Sequence, residues 1–293
     1  MSARKKSSKR TRFVALLLPE SKKLLDDKSY YGPMLQGLSD GLMAGGYNLR
    51  PVECLHEYQR EHFLHSPSSF YAGVVIMGQL YTAKPFVEEV VRALSGPKVV
   101  LDHYFDDVPV HSVREDSVAG MRKLAGHLIG LGHRHIAYLD TDKPEANPWK
   151  REGINVALSE AGLSELARGW VAGCRCNFAD TATALDWFMD LDPRPTAIMT
   201  YGDFRALLLL QAAAERGLRV PQDLSITGYG DLAVRTNRSR TLTSAGVDPA
   251  ELGRRAAELV IGEKSEKPLS VLVAPELFVR GTTSAPGGEP DSK

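Results

Sequence analysis

The sequence predicts an α/β fold with parallel sheets arranged in two similar lobes, and three observations predict it. Short runs that are apolar throughout, such as "FVALLLP", "AGVVIMG" and "TAIMTYG", alternate with longer stretches of helical period. Strands without a polar face belong in a sheet covered on both sides, which parallel strands with crossover helices provide. The βα beat then restarts at "HIAYLDT", midway along the 293 residues. Two successive series of about five strands each make two lobes rather than one sheet.

Taken in order, "FVALLLP" reads as a strand and "YYGPMLQGLSDGLMAGG" as the helix that crosses over to the strand "YNLRPVEC". "AGVVIMG", "KPFVEEVVRAL" and "KVVLDHY" repeat the strand, helix, strand rhythm. In the second series "HIAYLDT", "RGWVAGC", "TAIMTYG" and "DLSITGYG" are the strands, separated by "REGINVALSEAGL", "TATALDWFMDL" and "FRALLLLQAAAERGL". Gly45-Gly46, Gly130, Gly162 and Gly217 each follow a helical pattern where a left-handed residue ends a helix, and Pro221 adds a stop after Gly217.

Composition narrows the class. The chain is 43% hydrophobic and 25% charged, enough for a large core. Its 36 basic and 36 acidic residues cancel, yet Arg4, Lys5, Lys6, Lys9, Arg10 and Arg12 sit in the first twelve residues without an acid. That segment, 1–12, is expected to be a disordered arm or linker remnant with a weak attraction for phosphates. Residues 287–293 are expected to be a disordered tail. Cys54, Cys174 and Cys176 suit neither a disulfide framework nor a zinc site and point to a reducing, cytoplasmic setting. No apolar run reaches the ~20 residues of a membrane span, and "FVALLLPES" is too short for a signal peptide.

No phosphate loop, H-E-x-x-H, G-x-S-x-G or G-x-G-x-x-G is present, so the chain is not expected to be an enzyme, with no catalytic residues, cofactor or metal. The two histidines of "GHRH" lack ligand partners, and His133 and Arg134 are expected to cap a helix end. In open parallel sheets, ligands bind beyond the carboxyl ends of the strands. That rule nominates the aromatics Tyr30, Tyr31, Trp149 and Phe178 and the polar groups Gln79, Asp116, Lys150, Asp203 and Asp231. A sugar-like or nucleoside-like ring needs an aromatic face and groups that grip its polar edge. Each residue also fits a structural role, core packing for the aromatics and helix capping for the aspartates.

Several stretches in register resemble one family. "VREDSVAGMRKLAGHLIGLGHRHIAYL", "KREGINVALSEAGL", "PRPTAIMTYGD", "GLRVPQDLSITGYGDL", "DPAELGRRAAELVIG" and "PELFVRGTTSAP" are similar, in order and spacing, to the effector-binding core of LacI/GalR-type transcriptional regulators. The resemblance covers nearly all of residues 13–286. It implies a periplasmic-binding-protein-like (type I) fold: two Rossmann-like lobes joined by three crossovers. The lobes would be residues 13–132 plus 246–264, and 133–245 plus 265–286. It implies a homodimer that closes on a small-molecule effector, with Tyr30, Tyr31, Asp116, Phe178 and Asp203 at the ligand.

Three positions depart from the family pattern. Lys150 replaces the arginine of "R-x-x-G", Gly202 the asparagine of "N-D", and Gly230 the first aspartate of "G-[FY]-D-D". Lysine lacks the planar two-pronged donor of arginine, and the glycines remove two polar contacts. The family's helix-turn-helix pattern does not occur, so operator DNA would be reached only through a headpiece outside these residues. The alternative to a regulator core, either trimmed or naturally stand-alone, is a transport-type solute-binding protein. The broad apolar run Leu207–Leu210 is the expected dimer face.

Overall fold

The computed structural model describes residues 12–18, 30–54, 56–65, 70–78, 84–142, 147–164, 170–232, 241–263, 265 and 267–287. The arm before Arg12 and the tail after Gly287 lie outside them. Arg12, assigned above to the arm, is instead the first residue of the first strand, and Gly287 of the expected tail closes a turn at φ 71°.

The chain forms two compact units: residues 1–114 with 248–272, and residues 115–247 with 273–293. It passes between them three times, near 114, 247 and 272. The resemblance put these passages near 132, 245 and 264. The first moves because the helix at 117–130 packs against the second unit's helix at 148–160 in one core.

In unit 1, β1 (Arg12–Leu18), α1 (Tyr31–Ala44), β2 (Tyr47–Glu53), α2 (Glu57–Leu64), β3 (Tyr71–Met77), α3 (Lys84–Ala93), β4 (Lys98–Leu101) and β5 (His111–Glu115) follow one another. The sheet order is β11-β5-β4-β3-β1-β2, with β11 at Ser270–Val273, and the pairs from β2 to β5 are parallel. Residues Val14 to Leu18 are all buried, as a strand covered on both faces requires. Ala15 and Leu17 join Phe63, Phe86, Val87 and Val90 of α2 and α3 in one core cluster. The largely polar α2 escapes the sequence rhythm because Phe63 is its only buried residue.

Unit 2 runs α4 (Ser117–Gly130), β6 (Ile136–Thr141), α5 (Pro148–Glu160), β7 (Val171–Cys174), α6 (Phe178–Met189), β8 (Ala197–Thr200), α7 (Asp203–Glu215), β9 (Ser225–Thr227) and β10 (Ser244–Gly246). α8 (Pro249–Ile261) returns to unit 1, and β12 (Glu276–Phe278) pairs antiparallel with β10. The parallel sheet β7-β6-β8-β9 divides two cores. Ile136 and Tyr138 of β6 face α4 and α5, whereas Ala137 and Leu139 face α6 and α7, which is the period of two expected of a strand. The left-handed turn after α4 falls at Gly132 (φ 100°), not at Gly130, which is the last helical residue. Leu209 is fully buried and Leu207 and Leu210 pack on the same core, so most of the leucine run of α7 is used inside unit 2.

Arg134 donates to the carbonyl of Ile129 at 3.0 Å and so caps α4 as expected. His133 does something else. It is buried, with Nδ1 2.8 Å from the Thr196 hydroxyl and Nε2 2.8 Å from the Ser284 carbonyl, and it ties the segment after β12 to the residue before β8. Burial pushes the proton affinity of His133 down, and it does the same at His103, His111 and His127. A histidine whose folded pKa is depressed contributes stability above its unfolded value, near ~6.5, and loses it as the pH falls. The thermal midpoint is therefore expected to be flat above about pH 7 and to drop steadily towards about pH 5. A midpoint that holds or rises over that interval would contradict the neutral, buried imidazoles.

Candidate functional site

In unit 2 the carboxyl ends of three neighbouring strands bring together a polar network. β6 closes on Asp140-Thr141, β8 runs into Tyr201-Gly202-Asp203, and β9 into Gly228-Tyr229-Gly230-Asp231. Asp140 is buried, and its carboxylate accepts from the Thr141 amide at 2.8 Å and from the Arg151 guanidinium at 2.6 Å. Next to Arg151, Lys150 lies in the first turn of α5 and is only 6% exposed.

The Lys150 ammonium donates to the carbonyl of Tyr201 at 2.8 Å and lies 3.9 Å and 4.1 Å from the ring centroids of Tyr201 and Tyr229. Two tyrosine faces replace water around the charge, which a ring quadrupole does favourably. The Arg205 guanidinium lies 5.3 Å from the Tyr201 ring and donates to the Cys174 carbonyl at 3.2 Å, so two cations attend one ring. Burial, reinforced by the negative charges of Glu115 and Asp116, pushes the Tyr229 phenol well above its usual range and keeps it neutral.

The aspartates are joined by a serine on a crossover strand. Asp203 is 1% exposed, and its Oδ1 accepts from the Ser244 hydroxyl at 2.7 Å. The same Ser244 oxygen accepts from the Asp231 amide at 3.2 Å. Asp231 holds a left-handed φ of 54° and pairs with Arg280 at 2.7 Å. Asp203 and Asp231 thus carry internal partners that fix the ends of β8 and β9 in place. A group bound here meets a preorganised rim and not loose carboxylates.

The other nominated residues sit as follows. Asp116 caps α4, accepting from the Ala119 amide at 2.9 Å. Phe178 opens α6 and packs, half-buried, on the core between α6 and α7. Trp149 is half-buried in the first turn of α5. In unit 1, Tyr30 and Tyr31 meet edge-on at 5.2 Å, and the Tyr30 hydroxyl donates at 2.7 Å to Asp102, just past β4. Gln79 lies outside the described residues. The structure therefore joins Lys150, Asp203 and Asp231 through Tyr201, Tyr229 and Ser244, and joins Tyr30 with Tyr31. Phe178 and the capping oxygen of Asp116 are committed to local structure.

Sequence reasoning missed Arg151, Arg205, Ser244 and Arg280. Arg205 stands two residues after Asp203 and Arg280 stands inside the quoted "PELFVRGTTSAP", so proximity to known motifs would have flagged both. Ser244 has no such signal, since it reaches Asp203 across 41 residues of chain.

Doubly covered parallel sheets in two units, with polar groups gathered past the strand ends, define a class of small-molecule binding protein. The chain belongs to the periplasmic binding protein-like domain family, whose model matches residues 125–283. It is 31% identical to the ribose operon repressor of Haemophilus influenzae over 177 residues, 60% of this chain and 53% of that repressor. It is 30% identical to the HTH-type transcriptional repressor PurR of Pasteurella multocida over 212 residues, 71% of this chain and 63% of that one. It thus spans between half and two thirds of the length of these relatives. Among solved structures, a LacI family transcriptional regulator from Enterococcus faecium with bound ribose matches with a TM-score of 0.73 at 20% identity, covering 94% of this chain and 99% of that one. Among the described residues no helix is long and apolar enough to cross a membrane.

Proposed function

We propose that this chain is the effector-sensing part of a transcriptional repressor, binding a small polar ring compound of the sugar type at the carboxyl edge of the unit 2 sheet. The observation that carries this reading is the buried Lys150, Tyr201, Tyr229 network beside the Asp203, Ser244, Asp231 relay, in a chain whose relatives are named as repressors. Ribose bound to the Enterococcus regulator and the ribose operon named for the Haemophilus repressor favour a sugar over other rings. The protein acts as a homodimer in the cytoplasm, and operator DNA is contacted by a headpiece and not by the described residues. The site takes no cofactor and performs no chemistry on its ligand.

A Cβ at Gly202 would meet nothing closer than 3.7 Å, so the rim has open space where the family pattern sets a side chain. That space suits a ligand bulkier than a bare pentose. Calorimetric titration with sugars, sugar acids, sugar phosphates and nucleosides tests the proposal. One class is expected to bind below millimolar, with affinity at least about tenfold weaker in Tyr201→Ala, which removes a ring of the network, and in Gly202→Leu, which fills the open rim. No binder in that range, or a binder indifferent to both substitutions, would sink the site as drawn.

A further inference from the structure

Unit 1 carries another cavity at the opposite, amino-terminal edge of its sheet. β4 starts at Lys98 and β5 at His111, registered so that Val99 is paired with His111. A pocket of about 410 Å³ opens there, lined by Lys98, His111 and Lys267, by Glu263, and by Val110 and Leu259 on an apolar wall. That volume lies within the range of small-molecule sites. Pro97, Pro109 and Pro268 stand in the same lining and fix the backbone on three sides.

Lys98 and His111 are each held in position by a backbone group. The Lys98 ammonium donates to the Gly96 carbonyl at 3.0 Å, and burial, with no carboxylate opposing it, lowers its proton affinity. His111 Nδ1 accepts the Leu269 amide at 3.0 Å, so the neutral ring carries its proton on Nε2. Burial lowers the proton affinity of this ring too. The loop that presents Lys267 is turned by Ser265, whose hydroxyl donates to the Lys267 carbonyl at 2.7 Å and accepts the Lys267 amide at 3.4 Å. Among the described residues, Lys98 and Lys267 make no ion pair. Two ammonium groups and an imidazole N–H around one cavity, two of them penalised by desolvation, are relieved by an anion. Lysines act as point charges and suit a tetrahedral oxyanion better than a flat carboxylate.

We propose that this pocket is a phosphate site, taking a small organic phosphate monoester with its oxygens on Lys98, His111 and Lys267 and its carbon portion against Val110 and Leu259. It shares no residue with the candidate effector site, so the two proposals stand or fall separately. Glu263 opposes the anion and limits its affinity.

The phosphate chemistry is shared by small metabolites and by a nucleic-acid backbone, so the experiment has an arm for each. The full chain is titrated with inorganic phosphate, glycerol 3-phosphate and a short DNA duplex while the His111 ring is followed by NMR. Inorganic phosphate and glycerol 3-phosphate are each expected to shift the His111 resonances saturably and to raise its pKa. Lys98→Met and Lys267→Met should each weaken that binding at least about fivefold, Lys98→Arg should retain it, and Glu263→Gln should strengthen it. Melting curves show whether each variant stays folded, and the Lys98→Arg rescue separates lost charge from lost packing. No saturable shift at tens of millimolar phosphate, a shift that survives both methionine substitutions, or a response to the duplex alone would overturn the proposal.

Discussion

Lys150→Met is expected to lower the stability of unit 2 by about 2 to 4 kcal/mol while keeping the unit folded. A desolvated cation over an aromatic face contributes ~2 kcal/mol, and a hydrogen bond from a charged donor ~1.5 to 3, with the two overlapping because one ammonium makes both. Methionine keeps the length and the apolar stem but leaves the Tyr201 carbonyl without its 2.8 Å donor and the two rings without their charge. Because Lys150, Tyr201 and Tyr229 all lie in unit 2, the loss is read from hydrogen exchange at the amides of β6 and β8. A change below about 1 kcal/mol would mean that the ammonium is solvated and the tyrosine cage does not form.

Gly253→Ala is expected to cost unit 1 at least about 3 kcal/mol and to loosen the packing of α8 on α1. A Cβ at Gly253 would stand 2.0 Å from the Met34 carbonyl oxygen and 2.4 Å from the Leu38 nitrogen, and one at Gly37 would stand 2.0 Å from the Ala250 carbonyl oxygen. The obstacles are backbone atoms on both sides, so no side chain can turn away and the helices must separate. Separation opens the contact at Met34, Leu38, Leu252 and Ala256, all of which are fully buried. Gly126→Ala is the control: a Cβ there meets nothing within 4 Å, and the helical position should gain about 0.5 to 1 kcal/mol. Equal effects from the two substitutions, measured by denaturant unfolding, would refute close helix contact as the cause.

The strands β1, β3, β4, β6, β8 and β9 were legible because each is a short, largely buried run, which leaves a continuous apolar signature in the sequence, whereas β5 and β11, with half-exposed or exposed residues, leave none. The helices α1 and α3 to α7 were legible by their period, α1, α5 and α7 also by their closing glycines, while α2, with one buried residue, left too little pattern to read. The site was legible only in part. Asp116, Lys150, Asp203 and Asp231 could be nominated because strand ends in a parallel sheet are where polar groups collect.

What each of those residues does was settled by partners far away in the chain. Lys150 reads in sequence as a lysine in place of an arginine, free to grip a ligand. Its environment comes from Tyr201 and Tyr229, which different strands bring to it. Asp203 and Asp231 read as two carboxylates open to a ligand, until Ser244 and Arg280 arrive by crossover strands and engage them. The same holds for Gly37 and Gly253, which look like weak points within helices and prove to be where two backbones touch. The sequence by itself determined the class of fold, its parallel strands and the edge where polar groups gather, because burial and periodicity are local along the chain. Only the tertiary structure decided which charges are neutralised and which glycines are indispensable, because those depend on contacts between segments that share no local pattern.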